Sequence, residues 1–280
     1  MSVSHSTRQT GLVQISAIPE LSPVLSPQGV HLVRANNPGL MSLTGTNTWV
    51  LAGRDANATI VIDPGPPLDE HLAAIRALGR PAAIVLTHQH ADHAEAAPGL
   101  AAEFDIPVYA ALPELAVGTM PLTEGDLIEV AGWRLSVLAT PGHTSDSVCL
   151  AIDGALFTGD TLLGGSTTII AAPSGSLADY FATMKRLGEY VDRPGFPGHG
   201  PAFSSVGAWA IHNAEYREER LAQLVQVFEG LAESGGTPSL CAVASATYGE
   251  NGQPVASYVE AMTDAQLRFL AERGDIAGWG

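Results

Sequence analysis

The most informative stretch of the chain is Ala83-Ile84-Val85-Leu86-Thr87-His88-Gln89-His90-Ala91-Asp92-His93. Its apolar half predicts a buried strand, and its polar half predicts a turn at the end of that strand. Extended backbone would point His88 and His90 to the same side, and a helix starting near Asp92 would carry Asp92 and His93 to the other side of the same pocket. A neutral imidazole binds a metal ion at about 2.0–2.1 Å. The stretch therefore predicts one part of a metal site, with room for a second ion.

Three further polar motifs each follow a predicted strand. They are Pro141-Gly142-His143-Thr144, Thr158-Gly159-Asp160-Thr161 and Pro197-Gly198-His199-Gly200. An isolated H-x-H pair is more often a solvated surface pair than a metal site, but loops at strand ends display side chains on a rigid scaffold. Because four separate motifs place metal-binding residue types at strand ends, and five of the nine histidines lie in them, we expect a metal centre.

Short β-rich runs and amphipathic helical patterns are mixed up to about residue 200, which predicts α/β packing. The predicted strands are 30–33, 48–51, 59–62, 83–86, 108–110, 134–138, 148–152 and 156–157, and the predicted helices are 68–78, 177–190, 206–231, 239–248 and 255–271. We therefore expect three segments. They are an irregular lead-in at 1–28, a catalytic domain at 29–205 and a helical appendage at 206–280.

The composition limits the class of partner. The chain has 280 residues, of which 46% are hydrophobic, and its net charge of −16 disfavours nucleic acid or an anionic membrane as the main partner. The two cysteines, Cys149 and Cys241, are too few for a disulfide framework and fit a reducing compartment. We recognise neither a signal peptide nor a run of about 18 apolar residues. The expectation is a cytoplasmic protein with a small-molecule substrate.

In the order THQHADH, PGHT, TGD and PGHG, the polar motifs resemble those of the metallo-β-lactamase fold hydrolases. The segments NNPGLMSLTGTNTWVL (36–51), VIDPG (61–65) and FTGDTLLGGSTTII (157–170) are similar to the lactamase-β-like branch of that superfamily, on its glyoxalase II-related side. The resemblance implies an αββα sandwich of two mixed sheets flanked by helices, with a metal cleft at one edge. It also implies a small C-terminal helical, winged-helix-like subdomain.

The resemblance further implies a role for each polar residue. The residues similar to ligands of the first ion are His88, His90 and His143, and those similar to ligands of the second are Asp92, His93 and His199. Asp160 would bridge the two ions, and Asp63 would hydrogen-bond to a ligand. The hydroxyls of Thr87, Thr144 and Thr158 are weaker candidates for the same supporting role. Two divalent ions are expected, zinc first, with iron or manganese as alternatives.

Two such ions would lower the pKa of a water molecule and supply a hydroxide, so no protein nucleophile is needed. Asp92 or Asp160 would orient the water or accept its proton. The sequence has no G-x-S-x-G elbow, and Cys149 lies in an apolar strand pattern typical of a core residue. We expect a metal-dependent hydrolase that cleaves a small-molecule acyl bond, namely a thioester, ester or lactone.

The alternative is an endoribonuclease acting on single-stranded RNA, which would need a basic or aromatic channel. The helix predicted at 255–271 is not basic, so the appendage is expected to cover the cleft or to form a homodimer contact. Arg217 and Arg220 could instead bind an anionic substrate, but interleaved glutamates favour a solvated helix face for both. The sequence leaves the substrate, the physiological metal and the oligomeric state open.

Overall fold

The computed structural model describes residues 27–53, 57–233, 236–249 and 257–279. The predicted lead-in at 1–28 lies outside this part except for its last two residues. The strands are β1 (Val30–Arg34), β2 (Asn47–Ala52), β3 (Ala58–Ile62), β4 (Arg80–Val85), β5 (Val108–Tyr109), β6 (Leu127–Val130), β7 (Trp133–Ala139), β8 (Val148–Ile152), β9 (Ala155–Gly159) and β10 (Gly195–Pro197). The helices are α1 (Asp69–Ala77), α2 (Ala91–Ala94), α3 (Ala97–Phe104), α4 (Leu177–Leu187), α5 (Val206–Ala232), α6 (Leu240–Tyr248) and α7 (Ser257–Arg273).

The strands form two five-stranded mixed sheets. The order is β1-β2-β3-β4-β5 in the first sheet and β10-β9-β8-β7-β6 in the second. In the first sheet β3, β4 and β5 are parallel, because α1 connects β3 to β4 and α2 and α3 connect β4 to β5. In the second sheet β6 to β9 are joined in sequence as antiparallel neighbours, and only β10 is parallel to its partner β9.

Alternation along the strands assigns each face of the first sheet to a different core. In β2 and β3, Trp49, Leu51 and Ile60 face the second sheet, whereas Val50 and Val61 pack with the helices outside. This alternation follows from the two-residue repeat of a strand. The outer face of the second sheet packs against α4 and the C-terminal helices. The layers are therefore helix, sheet, sheet and helix, which confirms the predicted αββα class.

Most predicted elements are present, and the missed ones are short or carry breaking residues. β6 and β10 were not predicted, since they have four and three residues. The helix α3 was not predicted either; its Pro98 lies in the first turn, where a helix tolerates proline. The strand that holds Cys149 is as expected, and the Cys149 thiol is fully buried.

The C-terminal region is helical, as predicted. Among the described residues after 205 there are three helices, α5, α6 and α7, and no strand. Leu224 and Leu270 from these helices share one core cluster with Cys149 and Leu156 of the second sheet. The division into domains at 205/206 stays a prediction. No helix in the ranges that the structure covers combines the length and the apolar character needed to cross a bilayer.

Candidate metal centre

Four loops at one edge of the two sheets bring the predicted residues together. His88 and His90 follow β4, His143 follows β7, Asp160 follows β9 and His199 follows β10. The expectation that one extended segment aligns His88 and His90 is wrong, because β4 ends at Val85 and His88 lies in the bend that follows, while only His90, which caps α2, has extended backbone. The bend nevertheless brings His88 Nε2 to 3.0 Å from His90 Nδ1. Asp92 and His93 then lie in α2, the helical turn that the sequence predicted.

The first cluster consists of His88, His90 and His143. His90 Nδ1 lies 3.0 Å from His88 Nε2 and 3.0 Å from His143 Nε2, although 53 residues separate His90 from His143. Ligand atoms around a tetrahedral ion lie about 3.3–3.4 Å apart when each is 2.0–2.1 Å from it. The three nitrogens therefore converge almost as the ligands of one ion would.

The second cluster consists of Asp92, His93 and His199. The two imidazoles meet at 3.1 Å between their Nε2 atoms, and Asp92 Oδ2 lies 3.2 Å from His199 Nε2 and 3.7 Å from His93 Nε2. Both imidazoles are fully buried, while the Asp92 side chain is one-third exposed. This second group of three donors can also hold a metal ion.

Asp160 lies between the two clusters. Its Oδ1 is 3.4 Å from His93 Nε2, and its Oδ2 is 3.4 Å from His199 Nε2 and 3.9 Å from His143 Nε2. The carboxylate is 8% exposed, and Oδ1 has no hydrogen-bond partner in the described part of the chain. A buried carboxylate oxygen without a donor needs a cation, so Asp160 fits a bridging position.

Second partners on the histidine rings determine which nitrogen faces the centre. Nδ1 of His143 lies 2.6 Å from the carbonyl oxygen of Ile169, and Nδ1 of His199 lies 3.3 Å from that of Gly45. A carbonyl only accepts, so each Nδ1 carries the proton and each Nε2 presents its lone pair. Lone pairs that point at one another repel. This donor set, in which acceptors face acceptors, fits metal ions.

Asp63 fixes His93 in the same way. Its Oδ2 accepts a hydrogen bond from His93 Nδ1 at 2.9 Å and another from the Thr87 hydroxyl at 2.7 Å, and its Oδ1 accepts from the Thr87 backbone N–H at 2.8 Å. Since that hydroxyl donates to Asp63, it accepts from His88 Nδ1 at 3.1 Å. Thr87 therefore orients His88 as Asp63 orients His93.

The two other threonines that the sequence analysis considered serve the loops instead. The Thr144 hydroxyl pairs with Ser147, and the Thr158 hydroxyl donates to the carbonyl of Leu162. Sequence reasoning missed Thr168, whose hydroxyl lies 2.9 Å from His143 Nδ1. No local pattern marks Thr168, because its partner is 25 residues away and the contact depends on how the loop folds.

The electrostatics differ between the two clusters. Burial lowers the pKa of His88 well below its usual value and also lowers the pKa values of His90 and His143, so these three imidazoles are neutral and ready to bind a metal. Neighbouring imidazoles add to the effect, and Asp160 opposes it.

Around the second cluster, the effect of the carboxylates on the histidine pKa values exceeds the effect of burial. Burial opposes a charge on His93 and on His199, but Asp160 helps to raise the pKa of His93 well above its usual value and that of His199 to about 9. Burial would raise the pKa of Asp160, but His199 and His93 hold it well below its usual value. Without an ion, a proton on these imidazoles supplies the positive charge that the carboxylates require.

β2 of the first sheet holds the loop of His199. The Asn47 amide donates to the carbonyls of Pro197 at 3.0 Å and Gly200 at 2.8 Å, and the Trp49 indole donates to Pro197 at 3.0 Å. Gly198 completes the packing, because a Cβ at this position would collide with Asp160 and with the ring of His93. The close approach explains why glycine precedes His199.

The centre opens into a cavity of 370 Å³. Its walls include His90, Asp92, His143 and Asp160, and its other lining residues are Leu40, Met41, Leu43, Ala91, Leu163, Ser166, Thr167, Thr168 and Ile169. Most of the remaining wall is therefore apolar. It comes largely from the segments 40–43 and 163–169.

The fold and the centre together define a protein of the αββα class with a His/Asp cluster capable of holding metal, as in a metal-dependent hydrolase. The family model of the metallo-β-lactamase superfamily matches residues 41–209. The chain belongs to the metallo-β-lactamase superfamily. An atrochrysone carboxyl ACP thioesterase from Aspergillus chevalieri is 32% identical over 234 residues, which cover 79% of this chain and 72% of that protein.

Solved structures share the fold. A metallo-β-lactamase family protein from Thermus thermophilus has a TM-score of 0.75 and 21% identity, over 89% of this chain and 95% of that one. The protein TTHA1623 in a di-iron-bound form has a TM-score of 0.52 and 27% identity, over 63% of this chain and 95% of that one.

Proposed function

We propose that this chain uses two divalent metal ions to hydrolyse acyl bonds of small molecules, with thioesters as the first candidate substrates. The observation that carries the proposal is the position of Asp160 between two groups of three donors at the base of a largely apolar cavity. The similarity to an ACP thioesterase supports the choice of bond.

The proposed ligands of one ion are His88, His90 and His143, those of the other are Asp92, His93 and His199, and Asp160 is proposed to bind both. Zinc is the proposed metal, because imidazole and carboxylate are common zinc ligands. Iron and manganese bind the same donors, and the similar protein TTHA1623 has been solved with two irons, so iron is an alternative. Metal analysis of protein purified without added metal decides between them.

When bound, the ions lower the pKa of a water molecule and polarise the acyl carbonyl. Unlike the two buried imidazoles of the second cluster, the Asp92 side chain is one-third exposed and borders the cavity. Its carboxylate can therefore accept the proton of the water and pass it to the leaving thiol. The water oxygen joins the acyl carbon, the carbon–sulfur bond breaks, and an acid and a thiol leave.

The apolar cavity wall favours an acyl chain. Leu43, Leu163 and Ile169 line the space next to His90 and Asp160, and such surfaces bind hydrocarbon better than a hydrated phosphodiester. The arginines of α7 are already paired, since Arg268 bonds Asp264 and Arg273 bonds Glu218. They offer little to an RNA backbone, whose binding depends on free cations.

The test is a substrate panel on metal-loaded protein, which contains acyl thioesters, lactones, a chromogenic cephalosporin and single-stranded RNA. We expect thioester hydrolysis that the Asp160→Ala variant lacks. RNA cleavage that is lost in Asp160→Ala, without acyl hydrolysis in the wild type, would replace this proposal with the endoribonuclease. Hydrolysis that persists after removal of metal would contradict both.

The cellular setting is part of the proposal too. Cys149 and Cys241 are both free, which supports a reducing compartment such as the cytoplasm. A catalytic domain at 29–205, a winged-helix-like appendage at 206–280, the glyoxalase II-related branch and a homodimer are proposed on the sequence alone.

A further inference from the structure

Arg217 of α5 is a buried cation. Arg217 is 5% exposed, and its guanidinium carbon lies 5.1 Å from the centre of the Tyr180 ring. Within the described ranges no carboxylate forms an ion pair with it, and the neighbouring Glu218 pairs with Arg273 instead. The interpretation of this residue as part of a solvated face is therefore wrong. The burial arises because α5 turns this face towards α4 and the loop 167–169.

The hydrogen bonds of Arg217 are incomplete. Nη2 donates to the carbonyl of Thr168 at 2.7 Å, but Nε is buried and has no partner among the described residues. Guanidinium has five N–H donors in a planar fork that matches a carboxylate. An unpaired buried charge is costly, so a site that retains one is expected to meet an anion.

Arg217 lines a cavity of 40 Å³. Arg220, Tyr216, Tyr248 and Gln266 line it as well, so a second cation and several hydrogen-bonding groups surround the space. One water molecule needs roughly 10–15 Å³, so the space is large enough for a small polar group such as a carboxylate.

This cavity adjoins the metal-facing cavity. Thr167, Thr168 and Ile169 line both spaces. The same segment contacts His143 through Thr168 Oγ1 and the Ile169 carbonyl. The two spaces are therefore neighbours that share the wall formed by residues 167–169.

We propose that Arg217, assisted by Arg220, binds a carboxylate of the substrate and so makes the enzyme selective for acidic acyl thioesters. The inference rests on the proposed function, since it concerns the substrate of the same site. The carboxylate can belong to the acyl group or to the thiol. In both cases a carboxylate lies at a set distance from the thioester bond that is cleaved.

The test compares substrates of matched length. Succinyl, glutaryl and adipyl thioesters of N-acetylcysteamine are paired with the butyryl, pentanoyl and hexanoyl thioesters, and a butyryl thioester of mercaptopropionate is paired with that of propanethiol. We expect one carboxylated member of these pairs to exceed its neutral partner at least about tenfold in kcat/KM, since a charged hydrogen bond is worth about that factor or more. The preferred pair identifies which side carries the carboxylate.

Variants separate binding from a structural role. In Arg217→Met we expect kcat/KM for the preferred acidic substrate to fall at least about tenfold further than kcat/KM for its neutral partner, whose own loss reports the support that Arg217 gives to the 167–169 segment. Arg217→Lys keeps the charge and should keep part of the preference. The control is Arg268→Met, which removes an exposed, paired arginine of α7. An equal loss for both substrates in Arg217→Met would show that Arg217 only supports the loop and would overturn the inference.

A binding measurement keeps the inference independent of turnover. Glutarate should raise the Tm of the metal-loaded wild type more than neutral glutaramide does, and Arg217→Met or Arg217→Lys should reduce the difference. A metal centre can bind a carboxylate as well and is common to all these proteins, so the loss of the difference in the variants is what reports on Arg217. Should Arg217→Met not fold, the wild-type preference and Arg217→Lys decide. Neutral thioesters hydrolysed without any acidic preference would overturn this inference alone, whereas no thioester hydrolysis at all would overturn the proposed function.

Discussion

Asp63 and His93 are joined by a buried hydrogen bond of 2.9 Å between Oδ2 and Nδ1, across 30 residues of sequence. The bond links the end of the third strand to the helical turn that follows the fourth. It fixes the proton of His93 on Nδ1 and leaves Nε2 facing His199 and Asp160. The geometry of the candidate metal centre therefore depends on a residue that does not itself line the cavity.

Asp63→Asn is expected to weaken metal binding. The carboxylate accepts bonds at both oxygens, whereas an amide must turn an NH₂ group towards either the Thr87 N–H or the His93 Nδ1–H. Changes in partners of metal ligands typically cost about 10- to 100-fold in affinity, so we expect a loss of that size by competition with a chelator. Asp153→Asn, in an exposed turn, is the control and should leave the affinity unchanged.

His199→Ala should remove mainly one of the two ions. Its Nε2 contacts Asp92 and Asp160, whereas the cluster of His88, His90 and His143 keeps its own three nitrogens. We expect two metal equivalents per chain in the wild type and about one in the variant, as measured by elemental analysis after dialysis. Two retained equivalents would contradict the assignment of His199.

Gly198→Ala should damage the centre without touching a ligand. The added Cβ would collide with Asp160 and with His93, which are held on other loops. We expect a lower metal content and a lower Tm. Gly99→Ala serves as the control, because a Cβ in this exposed helical position meets no atom within 4 Å. Gly99→Ala should stabilise the protein by about 0.5–1 kcal/mol, as glycine to alanine usually does in a helix. A Gly198→Ala variant that is also stabilised would contradict the predicted collision.

Metal-free protein should lose stability as the pH rises from 6.5 to 9. Despite burial, Asp160 and Asp92 raise the pKa of His199 from 6.5 to about 9 in the folded chain. A raised pKa means that the folded state holds the proton more tightly. The contribution of the His199 proton to the free energy of unfolding is complete below pH 6.5. It decreases by up to about 1.4 kcal/mol per pH unit above that and is lost as the pH passes about 9.

Urea unfolding of chelator-treated protein at several pH values measures this effect. His199→Gln, which cannot titrate, should show a flatter pH dependence. Metal binding at pH 7.5 should also release protons into a weakly buffered solution. An unchanged slope in His199→Gln would exclude His199 as the titrating group.

Local sequence patterns were enough to predict most of the strands and the polar side chains that meet at the sheet edge, because both are encoded within a few neighbouring residues. The β-rich runs at 48–51 and 59–62 predict strands, and each polar motif directly follows its strand. The short β6 and β10 were not predicted, and β10 consists mostly of Gly195 and Pro197, two residue types that are depleted in strands.

The partners of those ligands, in contrast, depend on the folded chain. The carbonyls of Gly45 and Ile169, the hydroxyl of Thr168 and the position of Gly198 reach the centre across 25 to 154 residues of sequence or by packing against another loop. The sequence did not predict the burial of Arg217 either. Glutamates flank it along the helix, and only the packing of α5 shows which face is covered. A backbone carbonyl is chemically the same at every residue, so only the folded chain determines which one meets an imidazole.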